Sequence, residues 1–151
     1  MNKLLQLKDG TCRTALVTGA AGGIGSATAK ALSNHGAKVM VTDVNEAALS
    51  TLVDEIRAEG GEAMAAALDV GDPESWQQAR QQVFDSWGPL SILVNNAGID
   101  VVKSVADTSL ADWDRLFRVN STGMFLGTQC FLDDLHAAGQ AGGVRSSIIN
   151  M

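Results

Sequence analysis

Residues 18–25 read Thr-Gly-Ala-Ala-Gly-Gly-Ile-Gly, and they join a short apolar run to a segment of helical periodicity. That junction constrains the fold more than any other stretch of the chain. Glycine adopts backbone angles closed to other residues, so the turn can be tight. Without side chains, its main-chain N–H groups can also approach a bound anion closely. The following helix points its N-terminus, with free amides and partial positive charge, at the same place. The order strand, glycine turn, helix therefore predicts a phosphate cradle made of Gly19, Gly22, Gly23, Ile24 and Gly25. The spacing is not Gly-x-Gly-x-x-Gly. No Gly-Lys-Ser/Thr follows either, so the turn is not a P-loop.

Strand-like and helix-like segments alternate from there. Residues 14–18, 38–42, 63–68, 90–94 and 147–151 read as strands, the third weakened by its alanines. Residues 24–35 read as a helix with Ile24, Ala27, Ala31 and Leu32 on one face. Leu49, Leu52, Val53 and Ile56 give a second helical face, which Gly60 and Gly61 terminate. Asp72 and Pro73 are the N-cap and first residue of a third helix with Trp76, Ala79, Val83 and Trp87 inward. Ser109 caps a long helix over residues 110–137, and the glycine-rich residues 138–143 read as a connecting loop. Short apolar strands suit a parallel sheet covered by helices on both faces. The expected fold is α/β, a doubly wound Rossmann-type parallel sheet in three layers with five strands, forming a single domain over residues 1–151.

Composition narrows the function classes. Hydrophobic residues at 46% and charged residues at 19% indicate a globular chain with a real core. A net charge of −6 opposes nucleic-acid phosphates, so no nucleic-acid partner is expected. No window approaches a membrane span, and residues 1–10 are too short and too interrupted for a signal peptide. Cys12, Cys130, His35 and His136 form no metal-binding spacing, so no metal is expected, and a reducing cytoplasm is the simplest setting.

Further polar residues fall at predicted strand ends. Asp43 closes the second strand, 18 residues after Gly25. A carboxylate there accepts hydrogen bonds from the ribose hydroxyls of adenosine and repels a 2′-phosphate, which favours NAD over NADP. Asp69 and Val70 close the third strand on the same sheet edge, where they would meet an adenine ring. Asn96, Ala97 and Gly98 follow the fourth strand beside the expected switch point, where doubly wound sheets bind ligands. Asn120 shares a helical stripe with Trp113, Phe117, Met124, Phe131 and Leu135. A polar residue on that seam needs hydrogen-bond partners if buried.

With these residues together, the chain resembles the short-chain dehydrogenase/reductase family. Residues 18–25 resemble its Thr-Gly-x-x-x-Gly-x-Gly turn, residues 95–98 its Asn-Asn-Ala-Gly motif, and Asp69-Val70 its Asp-Val pair. The turn also fits the Gly-x-x-Gly-x-x-Gly of the longer sugar-nucleotide epimerase branch, but Asn-Asn-Ala-Gly favours the short single-domain branch. The resemblance implies an NAD(H)-dependent oxidoreductase interconverting a secondary alcohol and a ketone, and a homo-oligomer, dimer or tetramer. It implies that Asn120, in Asn-Ser-Thr-Gly, belongs to the catalytic tetrad and holds a water in its proton relay. The other tetrad members are Ser, Tyr and Lys. This sequence has no tyrosine, and Ser146 and Ser147 precede the fifth strand rather than follow it. The chain is therefore expected to be truncated at the edge of an active site. Two other readings stand beside the enzyme: an NAD-binding module without redox activity, and an interaction fragment using the long helix. Residues 99–105 are the segment expected on the substrate side.

Overall fold

Alternate residues along the strands bury into two different cores. In β1 (Thr14–Thr18), Ala15 and Val17 face one side of the sheet and Leu16 the other. β2 (Lys38–Asp43) repeats this with Val39 and Val41 against Met40, and β4 (Ile92–Asn95) with Ile92 and Val94 against Leu93. A strand apolar at every position is thus a strand covered twice. Fully burying each large aliphatic side chain stabilises the fold by about 1.5–3 kcal/mol. The computed structural model describes residues 4–5, 11–140 and 145–151. Most of residues 1–10, and residues 141–143 of the expected loop, lie outside the described residues.

β3 (Glu62–Ala67) and β5 (Ser147–Asn150) complete a sheet of order β3-β2-β1-β4-β5, with every pairing parallel. The order reverses between β1 and β4, which creates a crevice at their carboxyl ends. α1 (Gly23–Asn34) and α2 (Glu46–Ala58) pack together on one side. α3 (Pro73–Trp87) and a helical segment beginning at Leu110 lie on the other. Asp72 caps α3 with Pro73 at its first turn, as the sequence predicts. The doubly wound α/β expectation holds.

Two local expectations need correction. On α1 the residues turned toward the sheet are Gly25, Ala29 and Ser33, whereas Ile24 is 63% exposed and Ala27 and Ala31 are exposed too. Close approach of helix to sheet requires small residues, and a hydrophobicity pattern does not register that. The predicted helix over residues 110–137 is also interrupted. It divides into α4 (Leu110–Phe117), a π-helical turn (Arg118–Thr122) and α5 (Gly123–Gln140). The added residue in the turn rotates the stripe. Phe131 and Leu135 are buried, while Trp113 and Phe117 stack on each other at 4.5 Å, both exposed. α5 also takes in residues 138–140, expected as loop.

α5 is seated tightly on its neighbours. A Cβ on Gly123 would lie 2.8 Å from Val70 Cγ2, and one on Gly127 would lie 2.6 Å from Trp76 Cη2. Trp76 meets Phe131 edge-on and donates its indole N–H to Val70 O at 2.8 Å. Arg80 of α3 pairs with Asp134 of α5. The Asp134 carboxylate holds the Arg80 guanidinium above its usual value. The Asp134 side chain is 5% exposed and that of Arg80 36%, so the two truncations differ. Arg80→Ala strands a buried carboxylate and is expected to cost about 3 kcal/mol. Asp134→Ala lets Arg80 turn to water and is expected to cost about 1 kcal/mol. Urea unfolding of both variants checks the asymmetry, and equal losses would contradict it.

Candidate functional site

The glycine turn leaves β1 at the switch-point crevice. Gly19 has φ +64°, and a Cβ there would sit 2.8 Å from Ala97 Cα. A Cβ on Gly25 would come within 2.3 Å of Gly19 O, whereas one on Gly23 would meet nothing within 4 Å. The inner glycines are thus required by the protein's own packing, and the outer one borders open space. Gly22 caps α1 without any side-chain hydrogen bond. By contrast, α2, α3 and α4 are capped by Asn45, Asp72 and Ser109. The start of α1 therefore offers its positive end, uncapped, at the surface where Ile24 is exposed.

Asn96 and Thr18 shape this cradle. Thr18 Oγ1 accepts from the N–H groups of Asn96 and Ala97, each at 2.9 Å. Asn96 Nδ2 donates to Thr18 O at 2.8 Å and to Gly19 O at 3.2 Å. The Asn96 amide is thereby engaged with the turn itself. Asn95, the first residue of the Asn-Asn-Ala-Gly stretch, donates to Asn150 Oδ1 at 2.9 Å and ties β4 to β5.

Three acidic or amide side chains border the same edge. Asp43 accepts from Ala21 N at 3.1 Å through Oδ2 and from Asn45 N at 3.0 Å through Oδ1. It bridges the glycine turn to the loop after β2. Asp69 accepts from Gly71 N at 2.9 Å and from Arg118 at 2.6 Å. Asn120 lies in the π-helical turn, half-buried, and both ends of its amide are taken by one residue. Oδ1 accepts from Ile99 N and Nδ2 donates to Ile99 O, each at 2.9 Å. This satisfies the sequence requirement for partners and pins the loop after β4 to the turn. Farther along that loop, Lys103 and Ser109 hold the Asp112 carboxyl well below the usual carboxylate range.

Two clefts run into one another here. One, of ≈ 180 Å³, is bordered by Asp43, Asp69, Val70, Gly98 and Val119. The other, of ≈ 290 Å³, is bordered by Gly22, Gly23, Ile24, Gly25 and Asn96. They share Gly19, Asp43 and Gly98. The structure thus brings the sequence-predicted residues of the turn, Asp43, Asp69, Val70 and residues 96–98 onto one trough. Asn120 stands behind it, holding Ile99. The trough lining contains two carboxylates and no lysine or arginine. An uncapped helix start beside a carboxylate-lined cleft fits a pyrophosphate joined to an adenosine. Sequence reasoning included Thr18 and Asn95 in their motifs without their roles as clamp and β4–β5 tie, and it missed Arg118. Among the described residues, no three or more His, Cys, Asp or Glu side chains gather as a metal site. No described helix is long and apolar enough to cross a membrane.

Residues 13–151 match the family described as short chain dehydrogenase. The sequence is 38% identical over 140 residues to 2,5-dichloro-2,5-cyclohexadiene-1,4-diol dehydrogenase LinX of Sphingobium indicum, covering 92% of this chain and 56% of the relative. It is 39% identical over 126 residues to a cyclopentanol dehydrogenase of Comamonas, covering 83% and 50%. A short chain dehydrogenase/reductase from Burkholderia phymatum, solved with NAD, superposes with a TM-score of 0.83 at 29% identity, covering 94% of this chain and 48% of the other. The chain thus spans about half the length of the curated relatives it matches. Solved relatives hold NAD or NADP, so the comparisons leave the choice between them open.

Proposed function

Because the chain belongs to the short-chain dehydrogenase family, we propose that it forms the NAD-binding part of an oxidoreductase acting on a secondary alcohol–ketone pair. The observation that carries this reading is the uncapped glycine cradle running into a carboxylate-lined cleft at the switch point. In this reading Gly23, Ile24 and Gly25 present main-chain amides to the pyrophosphate, and Gly22, whose N–H donates to Gly19 O at 3.2 Å, closes the turn beside it. Asp43 accepts from the adenosine ribose and disfavours a 2′-phosphate, and no lysine or arginine lines the trough to offset it. Asp69 and Val70 border the adenine, Asn96 and Ala97 hold the turn against the cofactor through Thr18, and Gly98 lines both clefts along its path. A bound nicotinamide supplies the acceptor or donor of a hydride at the carbinol carbon. Oxidation removes that hydride and the hydroxyl proton, leaving a ketone.

Asn120 acts in this scheme by fixing Ile99, the first residue of the loop expected on the substrate side. Its side-chain amide is already committed to Ile99. Each end of that amide keeps one further hydrogen-bonding position, and in this scheme it holds the relay water that the family assigns to this Asn. The curated relatives are named for alcohols on rings, and Val102 and Val105 of the loop are exposed and apolar. An alicyclic secondary alcohol is the substrate class these features favour. Exposed Trp113, Phe117, Phe125 and Leu132 offer an apolar face for a homo-oligomer. The two free cysteines suit a cytoplasmic setting.

The family's proton-transferring Tyr is not among these residues, and that divides the test into two arms. The 151 residues alone are expected to bind NAD and oxidise no alcohol. Fused to the remaining half of the Comamonas cyclopentanol dehydrogenase, they are expected to form reduced nicotinamide from cyclopentanol. A fusion that folds and binds NAD yet turns over no alcohol would overturn the oxidoreductase reading.

A further inference from the structure

Arg118 opens the π-helical turn and reaches back 49 residues in sequence to Asp69, its Nη2 2.6 Å from Oδ2. Both side chains are about half exposed, so the pair adds little to folding stability. Its location is more informative than its strength. Asp69 borders the cleft read above as the adenosine site, and the adjoining Val119 forms part of the same wall. The other Asp69 oxygen accepts from Gly71 N at 2.9 Å. The carboxylate is therefore tethered at both ends and held to one orientation.

A second observation comes from Gly71. A Cβ there would come within 2.6 Å of Arg118 Cγ and Nε. The arginine stem lies directly across the glycine backbone, in space that a methyl group would fill. Three successive residues of the turn thus meet three parts of the site. Arg118 holds Asp69, Val119 walls the cleft, and Asn120 holds Ile99.

We infer that Arg118 is a positioning residue that fixes the Asp69 carboxylate as the acceptor for the exocyclic amino group of adenine. The inference rests on the dinucleotide reading above. A carboxylate free to rotate must be ordered when the ligand arrives, and that ordering weakens binding. One tethered beforehand does not. A fixed acceptor also discriminates: an amino group at that position of the base donates to it, whereas the carbonyl of hypoxanthine faces it oxygen to oxygen.

The test compares NAD with nicotinamide hypoxanthine dinucleotide, in which a carbonyl replaces that amino group and the adjoining N1 carries a proton. Both are titrated calorimetrically into the intact chain, with thermal melting to verify the fold of each variant. The wild-type chain is expected to prefer NAD by about tenfold. Arg118→Gln is expected to weaken NAD by about fivefold and leave the hypoxanthine analogue unchanged, so the preference shrinks. Gly71→Ala is expected to reproduce this by displacing the arginine while retaining it in the sequence. Arg118→Lys, which keeps a positively charged donor for Oδ2, is expected to restore most of the preference. In an Asp69→Asn background, Arg118→Gln is expected to have no further effect.

An Arg118→Gln chain with the wild-type preference would overturn the inference, as would equal weakening of both dinucleotides. So would a wild-type chain that does not distinguish the two. A wild-type chain that binds neither overturns the dinucleotide reading itself, an outcome separable from failure at Arg118.

Discussion

Gly25→Ala is expected to abolish dinucleotide binding, while Gly23→Ala leaves the fold intact and weakens binding far less. The two positions are two residues apart on the same helix start, and composition treats them alike. The structure does not. A methyl group on Gly25 would press to 2.3 Å of Gly19 O and 2.8 Å of Ala20 Cα, both backbone atoms that cannot swing aside. Either α1 or the turn must move. Inserting one methyl into such packing costs roughly 1–3 kcal/mol. The displacement also misaligns the amides that would hold a pyrophosphate. Hydrogen bonds to a charged group contribute about 1.5–3 kcal/mol each, so losing two lowers affinity by at least about 100-fold. A methyl on Gly23 meets open space, and alanine favours a helix over glycine by about 1 kcal/mol. Calorimetric titration with NAD beside thermal melting separates the two variants. If Gly25→Ala binds as the wild type does, the cradle is not where the phosphates sit.

The second large effect is expected at Asp43. Asp43→Asn is expected to weaken NAD by about tenfold, because a charge-assisted acceptor becomes a neutral one. Binding of NADP is expected to tighten, because repulsion between the carboxylate and the 2′-phosphate disappears. The direction of the two changes matters more than either size, since a general loss of structure would weaken both ligands. The Asp43 carboxylate also holds Ala21 N and Asn45 N, so melting curves accompany the titrations. A variant with an unaltered NAD-to-NADP ratio would remove Asp43 from cofactor selection.

The sheet was legible in the sequence because β1, β2 and β4 are apolar at every position that both cores need. The turn was legible because four glycines between a strand and a helix mark a tight turn with an open helix start. The inner face of α1 was not, because a pattern search follows large apolar residues and this interface selects small ones, Gly25, Ala29 and Ser33. Ile24 faces outward beside the cradle, where a ligand rather than the core borders it. The interruption at residues 118–122 was hidden for a different reason. Helical spacing assumes a constant 3.6 residues per turn, and one wider turn moves everything before it around the axis. Trp113 and Phe117 were therefore misplaced, while Phe131 and Leu135 were not. Arg118 left no local signal at all, since its partner lies 49 residues away. The role of Asn96 shifted within the site: its amide shapes the turn through Thr18 O and Gly19 O.

The most direct test of the account is titration of the purified chain with NAD and NADP by isothermal calorimetry. A single site is expected that binds NAD, binds NADP more weakly, and is lost in Gly25→Ala. A folded chain that binds neither nucleotide, or that binds NADP more tightly, would contradict it.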